Sequence, residues 1–319
     1  MDTTSRRVEL VRKLNFEDPV VWWHHRGGWK SIVSALVERV HDTRGVFCHT
    51  YADALFPNEI YLRRPWVGFL HGSVTTAAGM ESQYRHSWSL ESFFSGDSWQ
   101  DVLHGCLGLF TFSRYTRRFV EERVRCPVNN LTYPGVFVDR PFGLQEFANN
   151  PDKKVLLVGH WLRRWQDFHD LSLQTFRKCL LQGSDVDYGA LQRNFLLRVD
   201  PNVWVLPRAS DEQYDNLLSK NIVFLPLHDV AGATLLVECI VRNTPVLVNR
   251  LEGHRDYLPD EYPYYYDTLE EAAFKAEDRA TLIRAHECLR DMPKRRFEVG
   301  FFVQSFINSP IYQSLPAPS

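Results

Sequence analysis

Glu238 is the one glutamate in an otherwise apolar segment, ATLLVECIVRN, which spans residues 233–243. The apolar residues recur at helical spacing, and the segment ends in Asn-Thr-Pro before the apolar stretch PVLVN. This pattern predicts a helix that stops near the asparagine and leads into a buried strand. Glu238 is therefore expected either on a solvated helix face or at a point where a polar ligand meets the helix.

Two arginines follow another predicted strand, VLLV, which is part of DKKVLLVGHW. Arg163 and Arg164 come shortly after Gly159, the residue that ends this strand. Guanidinium groups remain charged and match phosphate oxygens in geometry, which suits them to an anionic ligand. The alternative is a pair of surface arginines.

Glycine and histidine mark two further places in the first half. Gly27 and Gly28 lie in a predicted turn between the strand PVVWWHH and the helix WKSIVSALVERV. Glycine there leaves room for a ligand beside the backbone, although a tight turn without a ligand needs it as well. His71 ends the predicted strand in PWVGFLHGS and is either a ligand contact or a structural histidine. His24, His25 and His49 have no metal-ligand spacing.

Alternating strands and helices fill both halves of the chain, with no internal repeat. This pattern predicts two α/β domains with doubly wound, Rossmann-like sheets. We expect residues 1–148 to form the first domain and residues 149–293 the second. The boundary is placed there because GVFVDRPFGLQEFANNPD is rich in proline, glycine and asparagine. A ligand of such a pair is expected in the cleft between the carboxyl ends of the two sheets.

The individual elements follow from the same periodicities. We predict helices over WQDVLHGC, RYTRRFVEERV and SDEQYDNLLSK, and strands over GVFCHT, LGLFTFS, VWVLP and NIVFLPL. Residues 294–319 are predicted to form a final helix with one strongly apolar face, and that face contains Phe297, Phe301, Phe302 and Phe306.

The composition excludes several classes of protein. The 319 residues are 44% hydrophobic and 24% charged, as in a packed globular protein, and the net charge of -2 gives no general attraction for nucleic acid. No apolar run approaches the roughly 20 residues of a transmembrane segment, and MDTTSRRVEL lacks a signal-peptide core. The six cysteines are scattered without CxxC spacing. We therefore expect a cytoplasmic protein with reduced thiols.

Four stretches of the second half, in order, resemble the donor domain of a known enzyme family. They are VLLVGHWLRRW, SDEQYDNLLSKNIVFLPL, TLLVECIVRNTPVLVN and RLEGHRDYLPDE. The family is the retaining, nucleotide-sugar-dependent glycosyltransferases of the GT-B fold, which includes many bacterial mannosyl- and glucosyltransferases. The first half resembles it more loosely, through the Gly-Gly turn, FLHGS and FTFSRYTRRF. The resemblance implies two Rossmann-like domains that face each other across a cleft, with residues 294–319 crossing back to the first domain.

The resemblance also implies roles for residues near Glu238. The start of its helix is expected to bind the donor diphosphate through the amides of Ala231, Gly232, Ala233 and Thr234. Glu238, about one turn further on, is expected to accept hydrogen bonds from the ribose hydroxyls. An ionised carboxylate suits a diol because it only accepts hydrogen bonds.

The remaining implied contacts come from other loops of the cleft. Arg163 and Arg164 are expected to stabilise the leaving diphosphate, and His71 is expected to hydrogen-bond the donor sugar. The Gly27-Gly28 turn is expected beside the donor. Ser113 and Arg114, which end the strand LFTFS, match a further family position near the cleft.

The sequence departs from the family pattern at two positions. Many members have two glutamates separated by seven residues, and Val230 takes the place of the first one before Glu238. The nearby acid, Asp229, is one position early and is expected to replace that glutamate if the loop shifts by one residue. His160 takes the place of a family arginine and is expected to contact the donor.

The activity that the resemblance implies is retaining glycosyl transfer without a bound metal or other cofactor. The donor is expected to be a UDP- or GDP-linked sugar, and the acceptor a glycan, a lipid-linked molecule or a small molecule. The alternative is a nucleotide-sugar-binding or partner-binding module on the same fold that has lost turnover. An epimerase would need an acid/base pair that the sequence does not supply.

A metal-dependent alternative comes from the sequence SDVD. Asp185 and Asp187 form an Asp-x-Asp pair, which in another glycosyltransferase fold binds Mg²⁺ or Mn²⁺ on the donor diphosphate. The pair lies in a polar connection with no buried strand leading into it, so we expect no metal site there. Neither a G-x-S-x-G elbow nor a P-loop motif occurs in the chain.

Overall fold

The computed structural model describes residues 28–54, 65–75, 89–95, 103–136, 140–181, 197–230 and 232–316, together with the strand Val8–Val11 and residues 189 and 193. Several predictions lie outside the described residues. They concern the strand at residues 19–25 with His24 and His25, as well as Gly27, Asp185, Asp187 and Ala231.

Five parallel strands form the first sheet within the described residues: β1 (Val8–Val11), β2 (Val46–His49), β3 (Trp66–Phe69), β4 (Cys106–Thr111) and β5 (Val128–Asn130). Their order in the sheet is their order in the sequence. Parallel neighbours need a connection that returns to the same edge of the sheet. Helices contribute to these connections: α1 (Gly28–Val40), α2 (Leu90–Ser95) and α3 (Arg114–Glu121). The carboxyl ends of the strands therefore lie along one edge.

Six parallel strands form the second sheet of the described chain: β6 (Lys154–Val158), β7 (Arg177–Leu181), β8 (Trp204–Leu206), β9 (Ile222–Leu225), β10 (Val246–Asn249) and β11 (Tyr265–Tyr266). The helices before and within this half are α4 (Leu144–Asn149), α5 (Trp165–Asp170), α6 (Asp211–Ser219), α7 (Thr234–Arg242), α8 (Leu269–Glu277) and α9 (Arg279–Asp291).

The strand order of the second sheet, β11-β10-β9-β6-β7-β8, reverses between β6 and β9. The chain runs from β6 outwards to β8 and then continues on the other side of β6 at β9. Ligands of doubly wound sheets bind outside the carboxyl ends of the strands at such a reversal. The loops that follow β6 and β9 are therefore the expected ligand-binding loops of this half.

Local sequence signals fix the helices that flank this reversal. Ser210 and Gln213 form a reciprocal capping box at the start of α6. Asn243 ends α7 in the left-handed conformation, with φ of 60°, and its N–H bonds carbonyls of the last turn. Asparagine tolerates this conformation better than most residues, which explains why the helix stops before Thr-Pro as predicted.

The C-terminal segment crosses back onto the first sheet. A 3₁₀ turn (Arg295–Phe297) leads into α10 (Val299–Ile307) and then α11 (Pro310–Ser314). The ring of Phe306 in α10 lies 5.5 Å from the ring of Phe69 in β3, measured between centroids. The last helices therefore pack on the core of the first half.

Three of the four phenylalanines predicted on the apolar face are buried. Phe297, Phe302 and Phe306 are each at most 1% exposed, whereas Phe301 is 38% exposed. Phe301 was assigned to the wrong face, because adjacent residues of a helix point about 100° apart and Phe302 is the one that faces the sheet. Burying each of the three is worth about 1.5–3 kcal/mol.

The helix predicted over WQDVLHGC is wrong where the structure describes it. Residues 103–105 form a turn, Gly105 has φ of 84°, and Cys106 is the first residue of β4. A residue in the left-handed region interrupts a helix, and glycine adopts it at little cost. The placement of the domain boundary at residue 148 stays a prediction.

Candidate functional site

His71 follows β3 at the carboxyl edge of the first sheet and is held by several groups. Its backbone N–H donates to the Asp53 carboxylate at 3.1 Å, and its Nε2 lies 3.0 Å from the Thr50 carbonyl oxygen. Its ring stacks on Tyr51 with centroids 3.9 Å apart. Because a carbonyl oxygen only accepts, Nε2 carries a hydrogen, and Nδ1 can accept a hydrogen bond when the ring is neutral.

Asp53 fixes the backbone at the end of β3. Its buried carboxylate accepts hydrogen bonds from the N–H groups of His71 and Gly72. Burial raises the pKa of Asp53 to about 6, although the bonds from these amides oppose the shift. The carboxylate therefore orients the loop that carries His71.

Gly232 lies immediately before α7 and beside His71. A Cβ added to Gly232 would be 3.7 Å from Nδ1 of His71 and 3.4 Å from the ring of Tyr133. Burial raises the pKa of Tyr133 to about 12, and the nearby Thr234 side chain opposes the rise. Ala233, the N-cap residue of α7, supplies no side-chain hydrogen bond to the first amides. These amides and the helix dipole make a setting suited to an anion.

Asp229 joins the two halves of the protein. Its Oδ2 accepts a hydrogen bond from the Thr75 N–H at 3.0 Å, and its Oδ1 accepts one from the Val230 N–H at 2.7 Å. Burial raises the pKa of this carboxyl group, and the backbone hydrogen bonds oppose the rise. The loop after β3 and the loop after β9 thus meet at Asp229.

The loop after β6 turns sharply and holds the side chain of Arg163. Gly159 has φ of 74°. The Arg163 guanidinium donates to the carbonyls of Val158 at 3.0 Å and Trp161 at 2.8 Å. His160, in the same loop, is exposed. Arg163 is therefore a positive charge fixed by its own loop.

Arg164 lies where the loops after β6 and β9 run side by side. Its N–H donates to the Pro226 carbonyl at 2.9 Å, and Arg163 forms a β-bridge with Leu227. The Arg164 side chain is 41% exposed and pairs with Asp167 at 3.0 Å. The reversal of the strand order between β6 and β9 thus places both arginines next to the segment that leads to α7.

Glu238 is buried, so the solvated-face interpretation is wrong. It is 7% exposed, and its Oε2 accepts a hydrogen bond from the Tyr214 hydroxyl at 2.5 Å. Burial raises the pKa of Glu238, while the nearby Arg242 charge and the Tyr214 hydrogen bond oppose the shift. A carboxylate has about four lone-pair positions, so a second partner besides Tyr214 is chemically allowed.

A buried ion pair lies one turn further along α7. Arg242 is 1% exposed, its Nη2 is 2.9 Å from Asp215 Oδ1 in α6, and its Nη1 donates to the Glu238 carbonyl oxygen at 3.3 Å. Burial, as the largest effect, lowers the pKa of Arg242, but the surrounding acids outweigh it and the net shift is upward. The pair joins α6 to α7 behind Glu238.

His254 is buried beside the carboxyl end of β10, at the same edge of the second sheet. Its Nδ1 lies 2.9 Å from the Asn249 carbonyl oxygen. The Asn249 side-chain amide in turn makes two hydrogen bonds of 2.9 Å with the backbone of Leu227. Burial lowers the pKa of His254 from 6.5 to about 4. The ring is therefore neutral at pH 7.

This pKa predicts an acid-sensitive contribution to stability. The unfolded state binds the proton more tightly than the folded state, so the contribution of His254 is complete above about pH 6.5. It falls by about 3 kcal/mol as the pH decreases from 6.5 to 4. Urea unfolding at pH 7 and pH 4 measures it, with His254→Gln as the comparison. An equal pH dependence in both proteins would contradict the prediction.

Other residues that the sequence singled out lie nearby or have structural roles. Gly28 is the first residue of α1 and has φ of 47°. Ser113 caps α3, and Arg114 pairs with Asp256 across the two halves. His49 is buried in β2.

The structure brings His71, Gly232 and the start of α7 together, and it places Glu238 about one turn behind them. It also shows partners that the sequence did not indicate. Tyr133 and Tyr214 come from other elements and have no local signal. The Glu238–Arg242 spacing of four residues is one signal that could have indicated a buried charged network on α7.

Within the part of the chain that the structure describes, no group of three or more His, Cys, Asp or Glu side chains is arranged to hold a metal ion. The helices of that part are all too short or too polar to cross a membrane.

Comparison with known proteins gives matches among solved structures. No family model matches the sequence, and no curated protein matches it. The chain is similar to Anabaena HepE, solved in complex with UDP and glucose, with a TM-score of 0.62, 14% identity, and coverage of 87% of this chain and 79% of HepE.

A second similar structure is a variant of TarM from S. aureus. It was solved in complex with fondaparinux, α-GlcNAc-glycerol and UDP, and the TM-score is 0.60 at 12% identity, covering 89% of this chain and 58% of TarM. At these identities the likeness concerns the fold. The chain therefore has the GT-B fold, with two Rossmann-like α/β units that face each other and C-terminal helices that cross back to the first.

Proposed function

We propose that this protein transfers a sugar from a nucleoside-diphosphate sugar to an acceptor hydroxyl. The observation that carries the proposal is the meeting of His71 and Gly232 in front of the uncapped start of α7. A UDP-linked sugar is the first donor to test, because the structures of HepE and TarM contain UDP. A GDP-linked sugar is the second.

The diphosphate binds at the start of α7 in this proposal. The amides of Gly232, Ala233 and Thr234 donate to its oxygens, and the helix dipole favours its charge. Arg163 and Arg164 supply positive charge from the neighbouring loop. Arg163 is already oriented by two carbonyl groups, so it would stabilise the departing diphosphate without reorganisation.

His71 positions the donor sugar. Its Nε2–H is committed to Thr50, so Nδ1 accepts a hydrogen bond from a sugar hydroxyl beside Gly232. Four further donor contacts are proposed: Gly27, Gly28 at the start of α1, His160 on the loop of Arg163, and Asp229 on the loop after β9.

The proposed chemistry is transfer with retention and without a bound metal. The bond between the anomeric carbon and the diphosphate oxygen breaks, and its electron pair stays on the diphosphate. The acceptor hydroxyl oxygen then bonds to the anomeric carbon on the same face. Its proton moves to a diphosphate oxygen, which accounts for the absence of a protein nucleophile from the scheme.

The experiment that tests this function has two stages. A thermal-shift screen with UDP- and GDP-linked sugars identifies the donor, because a ligand that binds only the folded state raises the melting temperature of the protein. NMR of the anomeric proton then follows transfer or donor hydrolysis in EDTA. Turnover in EDTA with a retained anomeric configuration is expected. Inversion, or loss of turnover that Mn²⁺ restores, would contradict the proposed mechanism.

A binding module without turnover is the second candidate. Val230 replaces the first family glutamate and is buried, and the Asp229 carboxylate is engaged by the Thr75 amide. Both features weaken the contact to the donor sugar. Tight nucleotide binding with no transfer and no hydrolysis of any donor would favour this candidate over the enzyme.

Replacing Glu238 by alanine is expected to weaken nucleotide binding by about 1–3 kcal/mol, because charge-assisted hydrogen bonds to the ribose are lost. Isothermal titration with UDP or GDP measures the change. Glu238→Ala also leaves the buried Tyr214 hydroxyl without its carboxylate partner.

The double variant Glu238→Ala/Tyr214→Phe serves as the control, because it removes that hydroxyl as well. A weakening that persists in the double variant belongs to the ribose contact. Full nucleotide affinity in either variant would show that Glu238 is not part of the nucleotide-binding site.

A further inference from the structure

A polar cavity of about 270 Å³ lies beyond the carboxyl ends of β4 and β5, against the 3₁₀ turn Glu252–Asp256. It is smaller than the roughly 300–1,000 Å³ of sites for drug-sized ligands. Seven residues from both halves line it: Phe112, Arg114, Asn130, Thr132, Asp256, Tyr257 and Arg296. A ligand of this size is a small group or the end of a larger molecule.

Arg114 and Asp256 form one wall of the cavity. The Arg114 Nε lies 2.5 Å from Asp256 Oδ1, and the Arg114 N–H donates to Asp256 Oδ2 at 2.6 Å. Both carboxylate oxygens are therefore already bonded to Arg114, which neutralises the only acid in the lining.

Arg296 contributes a second guanidinium group from the C-terminal segment. Its Nη1 donates to the Asp256 carbonyl oxygen at 3.3 Å, and its Nη2 donates to the Tyr257 carbonyl oxygen at 2.7 Å. A guanidinium has five N–H groups and no acceptor. With two arginines and one aspartate, the lining carries a net positive charge.

The Asn130 side chain adds hydrogen-bond donors to those of the two arginines. It has two N–H groups, and its Oδ1 lies 3.5 Å from the Thr111 hydroxyl oxygen. The Phe112 carbonyl oxygen accepts a hydrogen bond from the Tyr257 hydroxyl at 2.5 Å. A donor-rich, positively charged cavity is complementary to an oxyanion, whose oxygens only accept.

The cavity and the surroundings of His71 share one residue, Phe112. This residue lines the cavity, and its buried ring contacts the His71 ring, with centroids 4.8 Å apart. Phe112 thus separates the cavity from the proposed sugar position, and the cavity is distinct from the diphosphate site.

We propose that this cavity binds an anionic group, a phosphate or a carboxylate, of the glycosyl acceptor. The identification of the ligand as the acceptor rests on the proposed function, whereas the oxyanion site itself does not. The acceptor is thereby held with its hydroxyl group directed towards the donor sugar beside His71.

Isothermal titration with inorganic phosphate and, separately, with acetate tests the site. UDP is present at saturation, so that phosphate does not report on the start of α7. Asn130→Asp keeps the side-chain shape but adds a negative charge, and it is expected to weaken anion binding about tenfold or more. Arg296→Gln is expected to weaken it as well. Arg295→Gln, an exposed neighbour with the same charge change, is the matched control and is expected to bind normally.

Each outcome bears on the proposal. Binding of either anion that falls in Asn130→Asp and persists in Arg295→Gln supports it, and the tighter anion identifies the acid group. Absence of anion binding, or equal binding by wild type and Asn130→Asp, overturns it. If Arg296→Gln does not fold, the anion titration of Asn130→Asp alone decides whether the cavity binds an anion. Failure of UDP to bind would count against the proposed function, and the titration without UDP would still test the cavity.

Discussion

Replacing Asp215 by alanine is expected to lower the free energy of unfolding by about 3–5 kcal/mol, because it removes the ion-pair partner of a buried charge. Arg242 is 1% exposed, and Asp215 pairs with it at 2.9 Å. The Glu238 carboxylate still attracts the guanidinium, and the bond to the Glu238 carbonyl oxygen remains, but neither restores the hydrogen bond that Asp215 Oδ1 accepts. Urea unfolding at pH 7 measures the loss.

Two comparisons make this result specific. Asp267→Ala breaks the pair between Arg250 and Asp267, which are 47% and 64% exposed, and should cost less than about 1 kcal/mol. The double variant Asp215→Leu/Arg242→Met should recover part of the stability, because it removes both charges of the pair, although the buried Glu238 carboxylate loses the nearby positive charge. A loss in Asp215→Ala no larger than that in Asp267→Ala would contradict the burial of the pair.

Replacing Gly232 by valine is expected to weaken donor binding about five- to 150-fold while the protein still folds. The new Cβ would make ordinary contacts of 3.4 Å with Tyr133 and 3.7 Å with His71 Nδ1, and Gly232 does not have the positive φ that demands glycine. The methyl groups beyond Cβ would occupy the space in front of α7. The expected loss of affinity corresponds to an overpacking cost of about 1–3 kcal/mol.

Gly300→Val provides the matched control, because nothing lies within 4 Å of a Cβ at that exposed position in α10. Titration with UDP or GDP compares the nucleotide affinities of the two variants under conditions in which both are folded. Undiminished nucleotide affinity in a folded Gly232→Val protein would show that the diphosphate does not approach the start of α7.

Much of the fold was predictable because it depends on local periodicity. The apolar runs around Val155 and Val246 become buried parallel strands, and Asn243 ends α7 where the sequence indicated. The strand β7 was missed, since RKCLL begins with two charged residues and has no alternation. The helix predicted up to Cys106 is wrong for its described residues, because the left-handed Gly105 interrupts a helix there.

The site was less predictable because its contacts join distant parts of the sequence. Thr75 and Asp229 are 154 residues apart, and Arg114 and Asp256 are 142 apart. Periodicity placed Glu238 on a helix, but only the packing of α6 on α7 brings Tyr214 to its carboxylate. The burial of that carboxylate therefore could not be read from the sequence.

A crystal structure of the protein with UDP would show whether the diphosphate binds at the start of α7. We expect the diphosphate within hydrogen-bonding distance of the backbone N–H groups of Ala233 and Thr234, with Arg163 and Arg164 on its other side and the ribose at Glu238. His71 should lie next to the terminal phosphate, where the sugar of a donor would begin. UDP bound elsewhere, with the start of α7 unoccupied, would contradict the proposed donor site.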